Sequence, residues 1–296
     1  MFVIKYRNIF FIISALMVAV ALFIVFSFGL NLGIDFKGGS ILEVSYPDGR
    51  PELAVINERV AESLSGQVFV QPTGESGLIV RAEGSSEEYR QALLSALSSD
   101  GEIAMNEERF NAIGPTIGAE LRSKAWIAII IVVIAIILFI AFVFRHVSEP
   151  VSSWKYGMIA IIALAHDIII PTGIFAFLGY EIDSLFVIAL LAIIGLSVND
   201  TIVVFDRVRE NLKNKTSRDF GETVGKSLKQ TFTRSINTSI TTLFVLLALY
   251  FIGPDSTQNF ALALALGIFF GTYSSIFLAS PLLVAAERWK RNGRKG

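Results

Sequence analysis

Apolar residues fall into six long runs, broken once by an extended stretch in which apolar and polar positions alternate on short periods. The runs lie approximately at 9–30, 125–144, 154–178, 185–205, 236–253 and 260–286. Each is long enough to cross a hydrocarbon core of about 30 Å, which takes about 20 helical residues. Lys5 and Arg7 precede the first run as they would in a leader. Its apolar length exceeds that of a leader and no A-x-A site follows, so it reads as a retained span. The expectation is a membrane α-helical bundle of six helices, with one span at 1–30 and the other five at 125–286.

The interrupting stretch, 31–124, has the patterning of a folded domain. Residues 41–46 are strand-like and end at a Pro47-Asp48-Gly49 turn, and 51–64 has helical apolar spacing with Pro51 where a first turn tolerates it. Segments 67–71 and 78–82 flank a turn at 72–77 as a hairpin. Residues 85–97 read as a second helix with Ser85 or Ser86 as cap, and 102–110 as a last strand. The order β-α-β-β-α-β predicts an α+β, ferredoxin-like domain of about 80 residues, enough to fold alone. Its carboxylates are scattered over helix faces, so binding is a better expectation than catalysis. Strand addition at a sheet edge is one way such a domain captures an unfolded polypeptide.

Composition fits the membrane reading: 53% of residues are hydrophobic and only 17% charged. The net charge of −1 offers nothing to nucleic acid. Cysteine is absent, which removes thiolate chemistry, disulfides and cysteine-ligated metals, and His146 and His166 alone leave little for a metal site. No cofactor, metal or catalytic group is expected. Charge in the loops gives an orientation: Arg145 and Lys155, the 206–233 loop and the 287–296 tail are basic, whereas Glu181, Asp183 and Asp255 mark the other side. Both termini are then cytoplasmic. The 31–124 domain, with fifteen acidic and eight basic residues, lies outside.

Against that background, polar groups inside the spans carry the information, because an ionisable side chain there costs at least about 2.5 to 3.5 kcal/mol. Asp167 sits midway along the third span beside His166. Pro171 cannot donate to the Asp167 carbonyl, which predicts a kink. Asp167 has two readings, a functional carboxylate or a hydrogen-bonded tie between helices. Asp200 in the fourth span is the leading candidate, with Asn199 beside it and Ser197 on its face at i−3. Arg234 opens the fifth span, followed on one stripe by Asn237, Thr238 and Thr241, and such a stripe must face protein or water. Antiparallel fourth and fifth spans bring Asp200 and Arg234 to similar depth. An ion pair made and broken there would form a proton relay. The alternative is that Arg234 is only a cytoplasmic anchor.

Asp206 and Arg207, at the membrane exit, read as anchors or as contacts with the basic segment that follows, and 219–231 reads as a short amphipathic helix on the inner leaflet, with Lys226 and Lys229 near anionic lipid. In the sixth span Ala263, Gly267, Gly271, Ser275 and Ala279 recur every four residues as a close-packing face.

Three segments carry a resemblance: Gly33-Ile-Asp-Phe-Lys-Gly-Gly39, Ile113-Gly-Pro-Thr-Ile-Gly118, and the run from Asn199-Asp200 to Arg207. Over nearly its whole length the chain resembles the SecD/SecF family of protein-export membrane proteins, relatives of the RND transporters, and specifically the smaller subunit of that pair. The resemblance implies a non-enzymatic subunit of the cytoplasmic (inner) membrane that uses proton motive force to promote late steps of protein translocation. It implies a separate SecD chain as partner, its own six-helix half packed on this one, with the SecYEG channel, YajC and YidC around them and an unfolded secretory polypeptide as client. The family's proton-dependent aspartate and arginine match Asp200 and Arg234. A passive scaffold for SecD and the channel, or half of an RND-like small-molecule exporter, are the alternatives. An intramembrane aspartyl protease built on Asp167 and Asp200 is disfavoured by the local sequences Ala-His-Asp and Val-Asn-Asp.

Overall fold

A computed structural model describes residues 2–64, 66, 68–145 and 151–293. His146, the first residue of the 67–71 segment and the last three of the 287–296 tail lie outside the described residues. The chain divides into two compact units, Met1–Asn31 with Ile127–Gly296, and Leu32–Trp126.

The smaller unit runs β1 (Gly39–Ser45), α2 (Leu53–Ser63), β2 (Val68–Thr73), β3 (Gly77–Ala82), α3 (Glu87–Ser98) and β4 (Asn106–Ile113), where α1 is kept for the span that precedes it. Its four strands pair antiparallel in the order β2-β3-β1-β4, the ferredoxin-like arrangement. Alternation along β1 and β3 sends Leu42, Val44, Leu78 and Val80 to one face, where Ile56, Val60, Leu93 and Leu97 of the helices cover them. Each such side chain contributes about 1.5 to 3 kcal/mol by leaving water. Ser86 caps α3, its hydroxyl accepting from the Tyr89 N–H at 3.2 Å. β4 enters the sheet four residues later than its apolar pattern predicts. Ser99, Asp100 and Gly101 all take positive φ, and the turn they make uses up the residues through Met105.

The two glycine-containing motifs meet inside this unit. A Cβ on Gly39, whose φ is +131°, would lie 2.4 Å from the Ala82 carbonyl oxygen, and one on Gly38 would lie 2.8 Å from Pro115 Cα. Likewise, a Cβ on Gly118 would lie 2.8 Å from the Gly38 nitrogen. Main chain therefore rests on main chain where β1 begins and β4 ends, at the paired residues Gly39 and Ile113.

Six helices long and apolar enough to cross a membrane account for the spans. They are α1 (Arg7–Phe28), α4 (Pro115–Val143), α5 (Ser153–Leu178), α6 (Ser184–Lys213), α7 (Phe220–Ile252) and a last, interrupted one. That last span is α8 (Asp255–Ser274), a π-turn (Ser275–Ala279) and α9 (Ser280–Gly293). The sequence predicts one unbroken helix here. Pro281 explains the difference, because it has no N–H for the Phe277 carbonyl, and a wider turn redistributes the bonds just before it. α5 runs on through Pro171 without a break. Asp183 and Asp219 cap α6 and α7, accepting from the N–H groups of Phe186 at 2.8 Å and Glu222 at 2.9 Å.

Segment 219–231 is corrected. It is the first third of α7, and not a separate helix on the leaflet, because nothing from Gln230 to Ser235 breaks a helix and Val224 and Leu228 are buried in the bundle core with Val208 and Leu283. Beside them Phe144, Tyr156 and Phe205 form an aromatic knot, Phe144 stacked on Tyr156 at 5.1 Å and Phe205 edge-on to both. By contrast α1 and α4 leave most of their apolar side chains on the outer surface, Phe23, Phe26, Ile130 and Ile134 among them. That is the surface hydrocarbon wets.

Tyr46 makes the sheet unit sensitive to alkali. It is fully buried and its hydroxyl donates to the Leu97 carbonyl at 3.2 Å. Burial pushes the phenol above its ordinary value, with the Arg59 charge partly opposing. The folded state holds this proton more tightly than the unfolded one, so its stability contribution is complete below about pH 10 and falls as pH rises beyond it. Chemical unfolding of the purified protein, followed from neutral to alkaline pH, should show that loss. Tyr46→Phe should remove the alkaline decline and cost about 1 kcal/mol at neutral pH.

Candidate functional site

Three helices, α5, α6 and α8, converge on a carboxylate that no solvent reaches. Asp167 on α5 is 0% exposed. Its Oδ2 accepts hydrogen bonds from the hydroxyls of Ser197 on α6 and Ser274 on α8, the latter at 2.8 Å, and its Oδ1 lies 2.9 Å from His166 Nδ1. Three donors are what a buried carboxylate requires, since an unpaired one costs several kcal/mol. Each donor comes with its element. Ser197 projects from the buried face of α6, and Ser274 is the last residue of α8 before the π-turn. Within that turn the Ser275 hydroxyl donates back to the Gly271 carbonyl at 2.9 Å, and Ser280 donates to the Ser275 carbonyl at 2.8 Å, so hydroxyls serve carbonyls in a stretch of irregular helix.

Asp200 lies one turn along α6 from Ser197, half-buried in a pocket between α6, α7 and α8 whose lining includes Ser197, Asn199, Thr238, Ser239, Gly271 and Thr272. The Ser239 hydroxyl is among the groups that act on Asp200, and it approaches Thr272 Oγ1 at 2.5 Å and lies 2.9 Å from the Ser235 carbonyl. Thr272 already donates to the Ile268 carbonyl at 2.8 Å. One Ser239 hydrogen thus has two acceptors at hydrogen-bond distance, the Thr272 hydroxyl and the Ser235 carbonyl. Two glycines let α8 come this close to α6. A Cβ on Gly267 would lie 2.2 Å from Ile193 Cγ1, and one on Gly271 would lie 3.1 Å from Ser197 Oγ and 3.6 Å from Asp167 Oδ2. Ser275 of the same stripe is buried.

Arg234, Asn237, Thr238 and Thr241 share one exposed stripe on α7, and Asn199 is exposed on α6. The threonines bond back to their own helix, Thr238 to the Arg234 carbonyl at 2.9 Å and Thr241 to the Asn237 carbonyl at 3.0 Å. Arg234 is one of the charges that act on Asp200, yet among the described residues no ion pair joins the two. Asp206 and Arg207 form helix-surface pairs instead, with Arg209 and Glu210 respectively. No group of three or more His, Asp or Glu among the described residues is placed to hold a metal ion.

Sequence reasoning missed Ser239 and Thr272, which complete the Asp200 pocket, and Ser274, which completes the Asp167 cluster. The available signal was spacing: Ser274 stands three residues after Gly271, on the face that this glycine brings against Asp167.

The family model for the C-terminal region of the protein export membrane proteins SecD/SecF matches residues 94–289, and the SecD/SecF GG motif matches residues 23–46. The chain belongs to the SecD/SecF family. Within it, the protein translocase subunit SecF of Thermobaculum terrenum is 40% identical, over 96% of this chain and 93% of that protein. The corresponding subunit of Anaerolinea thermophila is 37% identical, over 98% and 96% respectively. The crystal structure of SecDF from Thermus thermophilus, titled a translocon-associated membrane protein, superposes with a TM-score of 0.83 at 34% identity, covering 97% of this chain and 38% of that one. The GG motif of the family is thus the Gly38-Gly39 pair whose main-chain seat is described above. As a SecF-type member the chain is a multi-pass membrane transport subunit and not an enzyme.

The glycine contacts of α8 make a direct stability prediction for this SecD/SecF-family bundle. Gly267→Ala should destabilise the detergent-solubilised protein by about 1 to 3 kcal/mol through overpacking against Ile193. Combining it with Ile193→Ala should cost at least about 0.5 kcal/mol less than the two single changes added together. Thermal unfolding of the four proteins in the cycle reads that difference, and strict additivity would show that the two residues do not press on each other.

Proposed function

We propose that this chain works with a separate SecD-type subunit to draw on proton motive force and promote late steps of protein export, binding and releasing protons at Asp200. The observation that carries the reading is the half-buried Asp200 in a hydroxyl-lined pocket between three spans, with Arg234 near enough to act on its charge. A carboxylate in such a place persists where it does work. One charge moved through the membrane field is worth about 2.3 kcal/mol per 100 mV, enough to bias a conformational equilibrium severalfold. In this reading Arg234 favours the ionised carboxylate, and a change in their separation switches Asp200 between holding and losing its proton.

The exposed stripe of Arg234, Asn237 and Thr238 supports a partner half, since these groups must meet protein or water. The solved SecDF chain, of which this chain covers 38%, has length to spare for such a half. In this reading, which the basic loops support, both termini are cytoplasmic and the sheet unit is outside, where an unfolded secretory polypeptide would meet it near the SecYEG channel, with YajC and YidC as further neighbours. The scaffold reading has its own support in Asp167, whose bonds tie three helices together.

Export of a secreted protein into energised membrane vesicles carrying Asp200→Asn distinguishes these, once copurification with the SecD-type subunit is confirmed. The relay expects the force-dependent stimulation to disappear while assembly is kept. Stimulation at the wild-type level would leave the scaffold.

A further inference from the structure

We propose that His166 and Asp167 form a second proton-holding station, which shares the Ser197 hydroxyl with the Asp200 pocket. This rests on the proton-coupled reading above and deepens it.

The pair lies wholly inside the bundle, His166 at 2% and Asp167 at 0% exposed. With the carboxylate ionised, the 2.9 Å contact puts the imidazole hydrogen on Nδ1, which donates to Oδ1. Nε2 is then a bare acceptor, and it is buried with no hydrogen-bond partner among the described residues. The neighbours of the pair from each packed element are neutral. α6 supplies Ser197, α8 supplies Ser274 and Tyr273, and Ser14 of α1 reaches the Tyr273 hydroxyl at 3.4 Å. The groups acting on Asp167 are His166, Ser197 and Ser274, with no lysine or arginine among them. Asp200 is the nearest titratable group along α6, three residues from Ser197.

A neutral imidazole beside an ionised carboxylate leaves one net negative charge in this enclosure, and a single added proton cancels it. The proton bonds to Nε2, giving an imidazolium paired with the carboxylate. Passing the Nδ1 hydrogen to Oδ1 breaks one N–H bond and makes one O–H bond, leaving a neutral imidazole with its hydrogen on Nε2 and a carboxylic acid. A proton thus enters at one ring nitrogen and is passed on from the other, with no heavy-atom bond changed. Ser197 is placed to couple this station to the next. Its hydroxyl donates to Asp167 while its side chain lines the pocket of Asp200.

A helix tie needs only the hydrogen bond, whereas a proton station needs the second nitrogen. His166→Asn separates them, because its amide N–H takes the place of Nδ1–H towards Asp167 but has no second site for a proton. In energised vesicles containing the assembled complex, His166→Asn should lower force-dependent export by about tenfold or more, at unchanged melting temperature and copurification. If His166→Asn keeps both the stimulation and its pH profile while Asp200→Asn loses them, the second station is wrong and the relay at Asp200 stands. If both variants keep them, both readings fall. A second measurement needs no altered His166. In wild-type protein carrying 15N-histidine, with His146→Gln used to assign the two signals, the His166 ring should pass from one N–H to two when a proton gradient is imposed across the membrane. A single unchanged tautomer with and without the gradient overturns the proposal.

Discussion

A carboxylate in hydrocarbon has to be satisfied by the protein that surrounds it, and the arrangement of this bundle follows from that requirement. Asp167 draws a hydroxyl from α6 and another from α8, which fixes where those helices cross α5. The crossing is possible only because Gly267 and Gly271 let the α8 main chain approach the side chains of Ile193 and Ser197. The same approach brings Thr272 to Ser239 and closes the wall of the Asp200 pocket. Close packing and polarity are therefore one problem here, since Gly271, which leaves out a side chain, also brings the Ser197 hydroxyl into reach.

The two buried acids differ in how they are held. Asp167 has a partner at each oxygen and a histidine whose outer nitrogen has no partner among the described residues. Asp200 sits in a more open place, served by a serine whose hydrogen has other acceptors close by. Fewer bonds hold Asp200, whereas the cluster around Asp167 joins three helices.

The sequence makes the spans plain because hydrophobicity dominates them, and Asp200 stands out because an acid in an apolar run is expensive. The βαββαβ order of the sheet unit is legible from short-period alternation and from Ser86 as a cap. Other features were hidden for physical reasons. Ser274 and Ser239 cost little in a helix that can satisfy them through its own carbonyls, so nothing in their identity marks them as donors to a carboxylate. The polar residues from Gln230 to Ser235 look like a gap between two helices, yet backbone continuity does not depend on polarity, and α7 runs straight through them. The delayed start of β4 depends on Ser99 and Asp100 adopting positive φ, which glycine signals and serine does not. The distance from Asp200 to the Arg234 side chain likewise depends on helix rotation, which spacing alone leaves open.

The glycine seat at the base of the sheet unit has a mechanical meaning. The chain enters the sheet at the start of β1 and leaves it at the end of β4, and those strands are antiparallel neighbours, so both leads emerge at the same end of the pair. Force drawing the leads apart would open such a pair like a zip, one rung at a time, which is the weakest direction in which a sheet can be loaded. Gly38 and Gly118 press main chain against main chain at that first rung. The contact acts as a stitch at the mouth of the zip, at the rung where such loading would begin.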